Sequence, residues 1–317
     1  MLARHAENLF WLGRYMERAE NTVRMLEVTY QASVEAHDSR PETEQWSELL
    51  EVLFLEDEID PGLLAEIGPL LVADDANHAS VVSLVRRSRE NARATREWLP
   101  SELWEAVNGF LLELRTDDLA RSMRLRPYEV FRRVKAWCHT VVGAAEATLP
   151  RGEVYNFVGL GRMLERGSTS SRVLSVWNRR LGGFTGRADF SEWVKLLRSM
   201  GSYESYLRVH QTSMTPNLVL EFLLRSPELP RSVLYTVTRA EGHLTFLGQG
   251  GLGQAALRSV GRLRSSVEYT ESIGLAIDEL ARFLDSVEAG ILQLARTVET
   301  DYFHAAPDAS LHAYEVF

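Results

Sequence analysis

The chain has 317 residues, 45% of them hydrophobic and 25% charged, with a formal net charge of −9. That is enough for one large domain or two ordinary ones with a substantial core, and the acidic balance excludes a generic nucleic-acid binder, which carries a basic excess. Lys135 and Lys195 are the only lysines, so 33 of the 35 basic residues are arginine; a GC-rich genome explains that bias, as does a need for planar forks that grip carboxylates and phosphates.

The opening segment MLARHAENLFWLGR carries Arg4, Glu7 and Arg14 and lacks the apolar core of about 7–15 residues that a secretion signal needs. No run approaches the ~18 apolar residues of a membrane span, so a cytoplasmic protein without membrane contact is expected. Leu9, Leu12, Met16, Ala19, Val23 and Leu26 fall on one helical face, and Arg14, Glu17, Arg18, Asn21 and Arg24 fall opposite. This predicts a first helix over 3–36. Further helices are expected over ETEQWSELLEVLFL, after Pro61, and over 80–99. Another begins at PSELWEAVNGFLLEL with Ser101 as N-cap, and one runs from Pro127 to Leu149.

The second half repeats this order. A long helix is predicted over 153–182, stopping at LGGFTG, followed by one over ADFSEWVKLLRSM. Short helices are expected over 203–212 and 216–226, one opens with Pro230, and a long one covers TESIGLAIDELARFLDSVEAGILQLARTVETDYF. GQGGLG (248–253) lacks the strand before it and the Lys-Ser/Thr after it that a phosphate loop requires, and reads as a flexible connection. The tail AAPDASLHAYEVF has little periodicity and is expected to be mobile or docked on a partner.

LGRYMERAENTVRML (12–26) and LGRMLERGSTSSRVL (160–174) share seven of fifteen positions, including Gly13/Gly161, Arg14/Arg162, Glu17/Glu165, Arg18/Arg166 and Arg24/Arg172. The expected fold is therefore an all-α helical bundle built from an internal duplication of two roughly 150-residue halves. Residues 1–150 form the first repeat, 151–305 a second packed on it as one unit, and 306–317 a tail. Helical glycine costs about 1 kcal/mol relative to alanine, so its recurrence at one place predicts close approach of another helix. Local i,i+3 and i,i+4 pairs are worth only about 0.3–0.5 kcal/mol. Two alternatives for the Arg-Glu-Arg faces stay open: a packed network between the copies, or a cleft for a carboxylate, a phosphate or a peptide C-terminus. Candidate residues are Arg14, Glu17, Arg18, Asn21, Arg24, Arg162, Glu165, Arg166 and Arg172.

A second basic stripe, RRSRENARATRE, aligns Arg86, Arg89, Glu90, Arg93 and Arg96; Arg89, Glu90 and Arg93 are secondary candidates for an anion site or docking face. The single cysteine, Cys138, sits in an apolar helical context and reads as an inert buried thiol. No His-Glu-x-x-His, Cys-x-x-Cys or Gly-x-Ser-x-Gly pattern occurs, so neither a metal nor another cofactor is expected.

MLARHAENLFWLGRYMERAENTVRML, RRSRENARATREWLPSELWEAVN (86–108), FVGLGRMLERGSTSSRVL (157–174) and LPRSVLYTVTRAE (229–241) together resemble the bacterial alpha-E family, an all-helical family named for its Glu-Arg motif. The likeness is looser at 167–171, which implies that the second half of a symmetric site works differently. Relatives are typically encoded beside, or fused to, a circularly permuted ATP-grasp ligase, often with a transglutaminase-like protease. The resemblance thus implies ATP-dependent making and trimming of a peptide or amide bond. The expected role is a non-catalytic or substrate-presenting partner of that ligase. An enzyme of the same pathway, using the paired clusters on a carboxylate or phosphate substrate, and a purely structural protein are the alternatives.

Overall fold

The structure is a computed structural model and describes residues 1–34, 41–115, 118–182, 190–211, 213–271 and 275–304. Among them are fourteen α-helices and no strands. They are α1 (Ala3–Val34), α2 (Glu42–Val52), α3 (Leu64–Val72), α4 (Val81–Ala94), α5 (Ser101–Arg115), α6 (Leu119–Leu125) and α7 (Pro127–Thr148). Then come α8 (Glu153–Arg180), α9 (Phe190–Ser199), α10 (Tyr203–His210), α11 (Pro216–Arg225), α12 (Val233–Leu247), α13 (Gln254–Tyr269) and α14 (Ile277–Val298). No helix among the described residues is long and apolar enough to cross a membrane.

The long helices α1 and α8 lie against each other at the centre. α4 and α7 flank α1, while α12 and α14 flank α8. α5 bridges α4 and α7, and α13 bridges α12 and α14. Being covered on nearly all sides, α1 and α8 bury polar as well as apolar residues, which is why neither is strongly amphipathic. Their backbones meet at the two glycines: a Cβ on Gly13 would collide with the Val158 carbonyl, and one on Gly161 with the Phe10 carbonyl. The predicted close approach is this contact, made reciprocally.

Two local features recur on either side of the α1–α8 contact. The α4 and α12 N-termini are capped by Ser80 and Ser232, each accepting from the backbone N–H three residues on (Ser83, Tyr235). Each serine hydroxyl also donates to a carbonyl six residues back, of Asp74 and Ser226. The α2 and α9 C-termini close alike. Phe54 N–H bonds the Glu51 carbonyl and Leu55 N–H that of Leu50; Gly201 N–H bonds Arg198 and Ser202 N–H bonds Leu197. Both turns are Schellman motifs, with the pivotal residue left-handed at φ +59° in each case.

Some boundaries differ from the sequence expectation. The helix expected over 80–99 ends at Ala94, where the Thr95 hydroxyl bonds the Asn91 carbonyl and the chain tightens into a 3₁₀ turn, Arg96–Trp98. Ser101 is the first residue of α5 rather than the cap before it, and α12 begins behind Ser232 rather than at Pro230. α6 and α13 were not expected. In α13 the buried Ala256, Val260, Leu263 and Val267 do keep helical spacing, but glycines precede them and arginines interrupt them. GQGGLG is a connection between α12 and α13, with Gly251 and Gly253 at positive φ. The expected end of α1 at residues 35–36, the LGGFTG stop beyond Gly182 and the C-terminal tail from 305 lie outside the described residues.

Candidate functional site

The Arg-Glu-Arg faces of α1 and α8 point at each other, and their ion pairs cross between helices instead of forming within one. Arg18 Nε donates to Glu165 Oε1 at 2.6 Å and its Nη2 to Oε2 at 3.0 Å. Arg166 makes the same fork onto Glu17, Nε to Oε1 and Nη2 to Oε2, both at 2.7 Å. The remaining arginines of the motif diverge. Arg14 Nε reaches Glu165 Oε2 at 2.8 Å, whereas Arg162 Nε stands 4.0 Å from Glu17 and its Nη1 lies 3.5 Å from Glu146.

Around Glu17 the site is closed. Arg231, the residue before the α12 cap, donates Nη1 to Asn21 Oδ1 at 2.7 Å and Nη2 to Glu20 Oε1 at 2.9 Å, and lies 3.5 Å from Glu17. Arg24 donates to Glu20 at 2.5 Å, and Asn21 Nδ2 to Thr169 Oγ1 at 3.0 Å. Burial works against the Glu20 carboxylate, but hydrogen bonding from His139 and the charges of Arg231 and Arg24 hold it well below the usual range. Burial pulls the Arg231 guanidinium down to about 10, with Glu20 and Glu17 opposing. Arg166 is driven above the normal arginine value because Glu17 outweighs its desolvation.

Around Glu165 the site is open. Burial would raise this carboxyl, but Arg18 and Arg14 outweigh it and hold it at about 2. Arg14 and Arg18 border a cleft of 480 Å³ whose other walls include Phe54, Glu58, Ala79 and Arg87. Nη1 and Nη2 of Arg14 and Nη1 of Arg18 donate to no acceptor among the described residues. The Arg14 guanidinium also stacks on Trp11, 5.0 Å from the ring. Arg172, the last arginine of the second motif, ties the cleft wall to α8. Its Nε donates to the Glu51 carbonyl, its Nη groups meet Glu56 and Glu288, and its guanidinium lies 4.4 Å over the Phe54 ring.

The secondary candidates lie elsewhere. Arg89 donates to Asn108 on α5 at 2.8 Å and pairs with Glu90, which also holds Arg93 at 2.7 Å; none of the three lines the cleft. Their neighbour Arg87 does, and sequence reasoning did not single it out. Glu20, Arg231 and Phe54 were missed as well. Arg231 sits in LPRSVLYTVTRAE, yet nothing local marks a guanidinium that reaches across to α1. Cys138 is buried, and that burial, with Glu20 and Glu17 nearby, pushes its thiol up and away from reactivity. Among the described residues no three of His, Cys, Asp and Glu gather as a metal site requires.

Fold and site together define an all-helical domain whose two central helices exchange Glu-Arg pairs. The chain belongs to the Alpha-E family, described as a predicted alpha-helical domain with a conserved ER motif; the match spans residues 1–303. Neither the curated proteins nor the solved structures offer a match.

Proposed function

We propose that this protein is a non-catalytic, substrate-presenting partner of a circularly permuted ATP-grasp peptide or amide ligase, with a transglutaminase-like protease in the same pathway. The observation that carries the reading is the cleft beside Glu165, where arginine N–H groups meet no acceptor among the described residues. Such donors suit the carboxylate that an ATP-dependent ligase activates. A carboxyl held at about 2 is a weak base at neutral pH, which favours binding over proton transfer in this site. The alternative of an enzyme working through these clusters is therefore the weaker one.

We also infer that the chain arose by duplication of a half of roughly 150 residues. The reciprocal Gly13–Val158 and Gly161–Phe10 approaches, the matched forks on Glu165 and Glu17 and the paired serine caps support this, because a self-complementary contact is what two copies of one helix make.

The test is a calorimetric titration of the purified full chain against the ATP-grasp ligase encoded beside it. Saturable binding, without turnover of peptide or acyl substrate by this chain alone, is the expected result. No binding, or turnover by the isolated protein, would sink the partner reading.

A further inference from the structure

The Glu17 and Glu165 faces use the same fork but differ at three places: two put a small side chain on the second face where the first has a charged one, and the third gives the second face an aromatic wall. The residue before the α12 cap is Arg231, which fills the Glu17 face with a buried guanidinium; the residue before the α4 cap is Ala79, which lines the cleft. Glu20 follows Glu17 by one helical turn, while Ser168 occupies that place after Glu165. The left-handed pivot ending α9 is Gly201, whereas the one ending α2 is Phe54, nearly half exposed at 46%. A non-glycine side chain in the left-handed region is unfavourable. An aromatic ring kept there, turned toward a cleft and braced by Arg172, marks a place where backbone conformation gives way to another requirement.

The charges of the cleft select the ligand. Its walls carry Arg14, Arg18 and Arg87 against Glu165 and Glu58. Both Glu165 oxygens are occupied by arginine forks, and Arg87 meets no carboxylate among the described residues. Arg87 Nη2 donates to His78 Nδ1 at 2.8 Å. Three cations against two carboxylates leave one positive charge, matched by a monoanion rather than a phosphate dianion. Val52, Leu53 and Leu55 beside Phe54 supply an apolar wall.

We propose that this cleft binds the terminal carboxylate of an amino acid or peptide, with Arg14 and Arg87 gripping the carboxylate and Phe54 packing on the adjoining apolar side chain. The proposal rests on the substrate-presenting reading and names the chemical class presented. In it, Ala79 is the vacancy that admits the ligand where Arg231 bars it on the other face.

The test is a calorimetric titration of the full chain, without ligase, using N-acetylphenylalanine, its uncharged amide and inorganic phosphate. The acid is expected to bind with Kd on the order of 1 mM or tighter, and the amide and phosphate at least about tenfold more weakly. Ala79→Arg, which installs the closed face's residue, is expected to abolish binding of the acid. Arg87→Gln, at a half-buried position, is expected to weaken it about tenfold, and provides the same test should Ala79→Arg fail to fold. Equal binding of acid and amide, preferential binding of phosphate, or undiminished binding by folded Ala79→Arg or by Arg87→Gln overturns the proposal. So does failure of the acid to bind wild type. Ligase binding without acid binding overturns this proposal alone, whereas acid binding without ligase binding overturns the partner reading and leaves the cleft assignment standing.

Discussion

The Glu17 and Glu165 faces are built from one motif and reach opposite ends. Around Glu17, Arg166, Arg231, Arg24 and Glu20 close into a network with every carboxylate gripped. Around Glu165, two arginines hold the carboxylate and then face a cleft. A buried ion pair is costly to assemble and stabilises little relative to apolar packing, so two copies kept for stability alone would have no reason to differ in accessibility. On the proposed reading, the closed face orients the two long helices, while the open face uses the geometry thus set to hold donors for a ligand.

The largest expected effect tests that division directly. Glu17→Ala strands the buried Arg166 and Arg231 and should cost about 3–5 kcal/mol. Glu165→Ala should cost less, because the Arg18 side chain is 38% exposed and water replaces the carboxylate there, while Arg14, 10% exposed, is left buried as Arg166 is. Urea denaturation of both variants measures the gap; equal losses would erase the distinction between the faces.

Acid titration comes next. The Glu165 carboxyl lies at about 2 when folded against an ordinary 4.5, so its contribution is complete above pH 4.5 and disappears as pH falls toward 2. His243, buried beside Asn156, is pulled down to about 4 by desolvation, with Arg239 and Arg162 adding to it. Unfolding therefore takes up a proton below pH 6.5, and stability falls from there to pH 4. Each arm is expected to be on the order of 3 kcal/mol. Thermal melts across pH 2–7 should show both arms, and Glu165→Gln should flatten the lower one while leaving the upper; an unchanged lower arm would remove Glu165 from the account.

The smallest effect concerns the two left-handed pivots. Gly201→Ala should cost about 1–2 kcal/mol from its conformation alone, and its new Cβ would stand 2.6 Å from Arg24 Nη1. Phe54→Gly relieves the same strain but loses the stacking of Arg172, worth about 0.5–1 kcal/mol, so its net change should be near zero. A destabilisation of Phe54→Gly as large as that of Gly201→Ala, seen in the same denaturation assay, would show that the ring is there for the fold.

The helical class was legible because 3.6-residue periodicity is a local property. Leu9, Leu12, Met16 and Val23 announce α1, and Pro127 marks a helix start that a single turn of backbone chemistry specifies. α13 escaped notice because glycines and arginines blur its apolar spacing until a neighbouring helix supplies the other half of the contact. At the site, the doubled motif and its glycines were visible in the chain, and so was the close helix approach they imply. The identity of the pairs was not: Arg14 and Glu17 are neighbours on one helix, yet each finds its partner on the other.

The sequence by itself determined the helices, the arginines and carboxylates available to pair, and the two places where backbones draw together, because each depends on residues within a few turns of one another. Tertiary structure decided which arginine meets which carboxylate, that Arg231 seals one face while Ala79 leaves the other open, and that Phe54 comes to wall a cleft. Those outcomes depend on distances between segments up to about two hundred residues apart, and burial and charge acquire their values only when such segments meet.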